Sequence, residues 1–166
     1  MAKERLDLDQ DLRFQRREWR LQRVGWFLWI ALIAAGLAGA VGPGPISSQR
    51  LSTSDGRLAV EYERFVHRHY PTELRLSIEP EDEQDKSLRV RISQTLLDRI
   101  KIARIHPEPV LSELTADGVW FEFGRQPGAE RVTVVWHIEH DKIGRGAGQL
   151  QLAGSQPLSI PFFVYP

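Results

Sequence analysis

The feature that most constrains this chain is an uncharged run, Val24–Gly42 (VGWFLWIALIAAGLAGAVG), 19 residues without a charged or strongly polar side chain. As a helix rising 1.5 Å per residue it would be about 28 Å long, close to the ~30 Å hydrocarbon core of a bilayer. A helix buried in a small soluble domain is ordinarily shorter and amphipathic. The run therefore predicts a transmembrane helix over 24–42. Arg13, Arg16, Arg17, Arg20 and Arg23 precede it, five cations within eleven residues, whereas Arg50 and Arg57 are the first cations after it. By the positive-inside rule the N-terminus is cytoplasmic and the rest of the chain is exported, which places the protein in a bacterial inner membrane with a periplasmic domain. Trp26 and Trp29 fall at the cytoplasmic end, where amphipathic rings favour the headgroup layer, so Arg20, Arg23, Trp26 and Trp29 are the expected membrane anchors. Gly42-Pro43-Gly44-Pro45 ends the helix, because proline cannot continue the hydrogen-bond ladder.

A cleaved signal peptide is the rival reading, since Ala38-Gly39-Ala40 has the small-x-small pattern of a cleavage site. The 23 residues before the run carry seven basic and five acidic side chains, longer and more mixed than a signal peptide's n-region, which favours a retained span. Residues 1–23 then form a basic cytoplasmic juxtamembrane tail and 43–50 a Gly/Pro linker.

Beyond the linker, apolar and polar residues alternate. Leu58, Val60 and Tyr62 form one such series, followed by Leu74, Leu76 and Ile78, then Leu88, Val90 and Ile92. Later series are Ile100 to Ile105, Val119–Phe123, Val132–Ile138, Leu150 and Leu152, and Ile160–Tyr165. A period of two with one buried face marks antiparallel strands. Ser54-Asp55-Gly56, Asp117-Gly118 and Gln126-Pro127-Gly128 supply turns, Asp141–Gly144 reads as a hairpin turn, and Gln94–Asp98 is the one plausible helical turn. Seven to nine short strands in residues 51–166 predict an all-β domain, an immunoglobulin-like sandwich in first place and a small barrel as the alternative. Its core would rest on Trp120, Phe121, Phe123 and Trp136, because the chain has no cysteine.

That absence also excludes thiol catalysis and Cys-based zinc sites. The 22 basic and 22 acidic residues balance, which argues against a nucleic-acid partner. His67 and His69 are two apart, with Glu61 and Glu63 on the same face if the strand runs unbroken. His137 and Glu139 form a second pair, with His140 pointing the other way. Neutral imidazole ligates zinc and copper, so these four histidines are the metal candidates, although the pairs lie far apart in sequence. The carboxylates of Glu79–Asp85 could hold calcium weakly, but lack the glycine and spacing of a calcium loop and read as a solvated connection. No GxSxG elbow exists, and the glycines of Gly144–Gly148 precede an alternating Gln149-Leu150-Gln151-Leu152 rather than the helix a phosphate loop needs.

Arg20–Trp26, the Gly42–Pro45 break, Val60–Phe65 and the closing Pro161–Pro166 resemble an uncharacterised group of bacterial single-pass inner-membrane proteins with an exported β domain. The resemblance implies the anchored topology and brings no activity or catalytic residues. The expectation is a non-enzymatic interaction module or accessory subunit of a membrane assembly, without cofactor, whose partners are the membrane and another inner-membrane or periplasmic protein. The alternative is a periplasmic metal-binding or hydrolytic domain using the histidines.

Overall fold

A computed structural model describes residues 12–38, 44–81, 87–126 and 128–166. The chain divides after Leu37 into an N-terminal helical unit and a β unit.

The helix α1 spans Leu12–Leu37. Among the described residues no helix is long and apolar enough to cross a membrane. Charged residues continue up to Arg23 and the helix ends at Leu37, so its uncharged part is Val24–Leu37, about 21 Å at 1.5 Å per residue. The expected span ran on to Gly42, and Gly39–Gly42 lie outside the described residues.

Among the described residues of the second unit are eleven strands: β1 (Ser48–Ser52), β2 (Leu58–Glu63), β3 (Phe65–His67), β4 (Pro71–Ile78), β5 (Ser87–Ser93), β6 (Ile100–His106), β7 (Leu111–Thr115), β8 (Gly118–Gly124), β9 (Val132–His140), β10 (Gly144–Leu152) and β11 (Leu158–Tyr165). One turn of helix, α2 (Gln94–Leu97), falls at the expected place. The strands form two sheets, in the orders β1-β2-β4-β9-β6 and β3-β11-β10-β5-β8-β7. The domain is thus an all-β sandwich. The three strands absent from the alternation pattern, β1, β3 and β7, are short and lie at sheet edges, where neither face demands a buried series.

Inward side chains of both sheets make one core. Leu58, Val60, Leu74, Leu76, Ile78, Val134 and Trp136 of the five-stranded sheet meet Val90, Ile92, Phe123, Leu150, Leu152 and Val164 of the six-stranded sheet, all buried. Each such side chain contributes roughly 1.5–3 kcal/mol through its burial. Trp136 is fully buried, and its ring meets Phe121 edge-on at 5.4 Å. Trp120 departs from expectation: it faces outward, with Arg89 and Arg91 over its ring at 5.4 and 5.8 Å. The hairpin register decides this, because Phe121 and Phe123 take the inward positions that alternate with it.

Two connections also differ from the sequence reading. Asp141–Gly144 does not turn a hairpin, because β9 and β10 belong to different sheets and the chain crosses between them. The run beginning at Leu58 does not continue unbroken to His69 either. Positions 58, 60, 62 and 66 are buried, so an unbroken strand would require position 64 inside, and Arg64 stands there, exposed. The chain changes sheets at that residue. The Arg64 N–H donates to the Ser47 carbonyl at 2.8 Å beside the first sheet, and the Arg64 carbonyl accepts from Phe163 N–H of the second at 2.8 Å.

Gly144–Gly148 lies within β10 and forms no turn. Gly146 sits directly opposite Phe162, whose ring carbons would lie 2.5 Å from a Cβ there, and a Cβ on Gly148 would come 2.3 Å from Leu96 Cβ. The glycines are therefore the floor on which Phe162 and α2 rest. The turns after β1 and β10 are joined across the sandwich. Asp55 Oδ2 accepts from Ser155 Oγ at 2.6 Å, while Oδ1 accepts from Thr53 Oγ1 and from Arg57 N–H at 3.1 Å.

Truncating Trp136 to Ala should cost about 3–5 kcal/mol, the range for a buried aromatic, whereas His137→Ala on the outer face should cost about 0.5 kcal/mol or less. Urea melts of the two variants check this. A larger loss for His137→Ala would place the β9 register one residue out.

Candidate functional site

The four histidines do not converge. His67 is on β3, on the outer face of the six-stranded sheet, with its ring 5.5 Å from that of Tyr165 and its Nδ1 3.3 Å from the Pro166 backbone oxygen. His69 follows β3 in a left-handed turn (φ 59°), and its Nδ1 lies 3.8 Å from Asp141 Oδ1. His137 is on the outer face of the other sheet, 3.9 Å from Glu73 Oε1. His140 ends β9 with its side chain in the core, 4% exposed and edge-on to Phe162 at 4.9 Å. Only His69 and His140 adjoin, and they do so by backbone, through His69 N–H to the His140 carbonyl at 3.0 Å. The sheet change at Arg64 removes Glu61 and Glu63 from the face of His67. Among the described residues no group of three or more His, Asp or Glu side chains is placed to hold a metal ion. The metal expectation for His67, His69, His137 and His140 therefore has no geometry behind it. The acidic run is likewise committed where it is described: Glu79 pairs with Arg131, and Glu81 with Arg57 at 2.8 Å, while residues 82–86 lie outside the described residues.

His140 is instead a buried group with a marked electrostatic cost. Burial lowers its pKa to about 4, so it is neutral in the fold. Among the described residues its Nδ1 has no hydrogen-bond partner, and beside it is a small cavity of about 20 Å³ lined in part by Tyr62, Thr72, Leu74 and Ile160. That space holds about one water molecule.

The expected anchors lie on α1. Arg20, Arg23, Trp26 and Trp29 are all exposed, Trp26 and Trp29 at 63% each, and Arg23 covers the Trp19 ring at 4.1 Å. Trp26 and Trp29 line one apolar groove of the helix with Gly25 and Ile33. Val24, Phe27, Leu28, Ile30 and Leu32 are exposed as well, so the part of the helix after Arg23 is apolar on every side.

Two surface grooves mark the outer faces of the sandwich. One, of about 470 Å³, crosses β1, β2 and β4. Its floor is a charge mosaic in which Arg50 pairs with Glu61 at 3.3 Å and Arg75 with Glu73 at 3.2 Å. The other, of about 610 Å³, lies over β3, β11 and β10 and is lined by Arg64, Phe65, Arg145, Phe163 and Tyr165. There the Arg64 guanidinium stands over Phe65 at 5.5 Å, and Tyr165 contacts Phe163 at 4.9 Å and Phe65 at 6.3 Å. The strand register makes this patch: Phe65, His67, Phe163 and Tyr165 occupy facing outward positions on β3 and β11. Sequence reasoning read the closing run as a strand and missed the patch. The available signal was Pro161-Phe-Phe-Val-Tyr, apolar on both faces, unlike the alternating series at Leu58–Tyr62, Leu74–Ile78 and Leu88–Ile92.

No protein-family model matches the chain, and no curated protein sequence matches it.

Two separate acid transitions should follow from the buried His140 and the exposed, hydrogen-bonded Asp55. The His140 pKa is lowered from 6.5 to about 4, so its contribution is full above 6.5 and is lost as the pH falls through 4. The loss is on the order of 3 kcal/mol. Asp55 is held down from 3.8 to about 2 by the Ser155 and Thr53 hydroxyls and then by Arg57 N–H, so its contribution is present above 3.8 and is lost as the pH falls through 2. Thermal melts across pH should show His140→Phe flattening the upper window and Asp55→Asn the lower one. Unchanged slopes in both variants would contradict these assignments.

Proposed function

We propose that this chain is a membrane-anchored, non-enzymatic interaction module of the bacterial inner membrane, with its N-terminus in the cytoplasm and its β-sandwich in the periplasm. The observation that carries this is the C-terminal part of α1, Val24–Leu37, which is apolar on every side, with Trp26 and Trp29 exposed at 63%. Such a helix is stable only inside a core or a bilayer, and the sandwich completes its own core with its own strands. The uncharged run continues from Leu37 to Gly42 in the sequence, long enough in total to match a bilayer. The five arginines before it and the uncharged stretch after it set the orientation.

Strand order supports an immunoglobulin-like sandwich. Seven strands, β2, β4, β5, β6, β9, β10 and β11, stand in the sequence order A to G. One sheet then reads A-B-E-D as β2-β4-β9-β6, and the other G-F-C as β11-β10-β5. To that frame the chain adds β1 and β3 at one side and the β7–β8 hairpin beside strand C. Sandwiches of this order present faces and edges to macromolecular partners, and both outer grooves here are open and lined by charged and aromatic side chains. The partner is a protein of the same membrane or the periplasm.

Expressed in bacteria, the full chain should remain in membranes through an alkaline wash, and a periplasm-active reporter fused after Pro166 should be active. A soluble product beginning near Val41 would establish cleavage and overturn the anchor.

A further inference from the structure

We propose that the groove over β3, β11 and β10 receives the acidic run Glu79–Asp85 of a second copy of this chain, joining sandwiches head to tail. The inference concerns the sandwich alone and goes beyond the anchored reading, on which it does not depend.

The groove is built for an anion. Arg64 and Arg145 flank the rings of Phe65, Phe163 and Tyr165, and no carboxylate is among the side chains lining this space of about 610 Å³. Among the described residues neither arginine has a carboxylate partner, whereas Arg50 and Arg75 in the groove of the other sheet are paired at 3.3 and 3.2 Å. A planar guanidinium matches a carboxylate, which it can hold through two parallel hydrogen bonds. Arg145 stands opposite Phe163 on the neighbouring strand, and Phe163 opposite Phe65. Phe162, Val164 and Val66, which alternate with these rings, are buried. The core therefore holds the rings in place, and an incoming segment orders few further side chains.

The chain itself carries the complement. Glu79–Asp85 has five carboxylates in seven residues. Glu79 and Glu81 are committed to Arg131 and Arg57 at the root of the run, and Asp82, Glu83 and Asp85 follow in the sequence. The chain has no net charge, so copies approach one another without long-range repulsion.

Reach assigns the run to another copy's groove. Glu81 lies beside the turn between β10 and β11, where its Oε2 would be 3.7 Å from a Cβ on Gly154. Arg145 is at the other end of β10, seven residues from Leu152, about 24 Å at 3.4 Å per residue. The five residues between Glu81 and Ser87 are tethered at both ends and extend about 10 Å at most. Run and groove thus belong to opposite ends of one sandwich. A contact between them is heterologous, each copy offering its groove to one neighbour and its run to another. An acidic segment of a different protein would meet the same arginines, but the chain's own run accompanies every groove in equal number.

The test uses the full chain in neutral detergent, with sedimentation velocity at low and high salt. The readout is the oligomer that disappears at high salt, because exposed ion pairs are screened. Wild type should form such dimers and longer species. Arg64→Ser with Arg145→Ser disables the groove, and Asp82→Asn with Glu83→Gln and Asp85→Asn disables the run. Each variant alone should lose the salt-sensitive oligomers while melting as wild type does. Mixed in equal amounts, the two should form a salt-sensitive dimer and nothing longer, since one retains the run and the other the groove. Arg145→Ser alone, which leaves the sheet change at Arg64 untouched, should weaken association in the same direction. A wild type without salt-sensitive oligomers overturns the proposal, and so does a mixture of folded variants that forms no dimer. Loss in the groove variant with no loss in the run variant assigns the groove to a different acidic segment and overturns the second-copy assignment.

Discussion

The structure turns on the clasp between Ser47 and the chain around Arg64. An inward strand position filled by arginine cannot be buried without a large desolvation cost, so the strand that starts at Leu58 must leave its sheet there. It leaves in one step, because Arg64 gives its N–H to Ser47 and its carbonyl to Phe163 of the opposite sheet. Ser47 then satisfies both backbone groups of Phe65 through a single buried hydroxyl. From this follow the parallel pairing of β3 with β11, the added strand at that edge, and the row of outward aromatic rings.

The sandwich needs no disulfide because shape complementarity closes it. The Trp136 ring spans the space between the sheets and meets Phe121, while the opposite end is filled by Phe162 over Gly146 and by Leu96 over Gly148. Large side chains facing glycines give a close-packed interior without a covalent crosslink. The Asp55 carboxylate adds a polar tie between turns of the two sheets at the surface.

Much of the fold was legible because one physical rule wrote it. Val134, Trp136 and Ile138 are buried as alternation requires, and the Asp117-Gly118 turn forms because Gly118 has φ 144° with the Ile92 carbonyl where a Cβ would be. What alternation does not encode was missed or misread. β1 and β7 carry no buried series, Trp120 could not be oriented among adjacent aromatic residues, and Asp141–Gly144 has turn chemistry but joins two sheets instead of two neighbouring strands. The histidine pairs do not meet for the same reason. Their spacing states which residues share a strand face, and Arg64 sends His67 to one sheet while His137 remains on the other. The aromatic patch is built from strands about 100 residues apart in sequence, so only the pairing of β3 with β11 brings it together.

The role of the Ser47 clasp can be measured directly by amide hydrogen exchange on Ser47→Ala. Leaving buried backbone groups of Phe65 without partners costs roughly 1–3 kcal/mol, so protection of the Phe65–His67 amides should fall by about 10- to 100-fold. The amides of β5 and β9 should keep theirs, since their pairing does not pass through Arg64. Unchanged protection across β3 would contradict the account, because it would mean that the sheet change is held by something other than this serine.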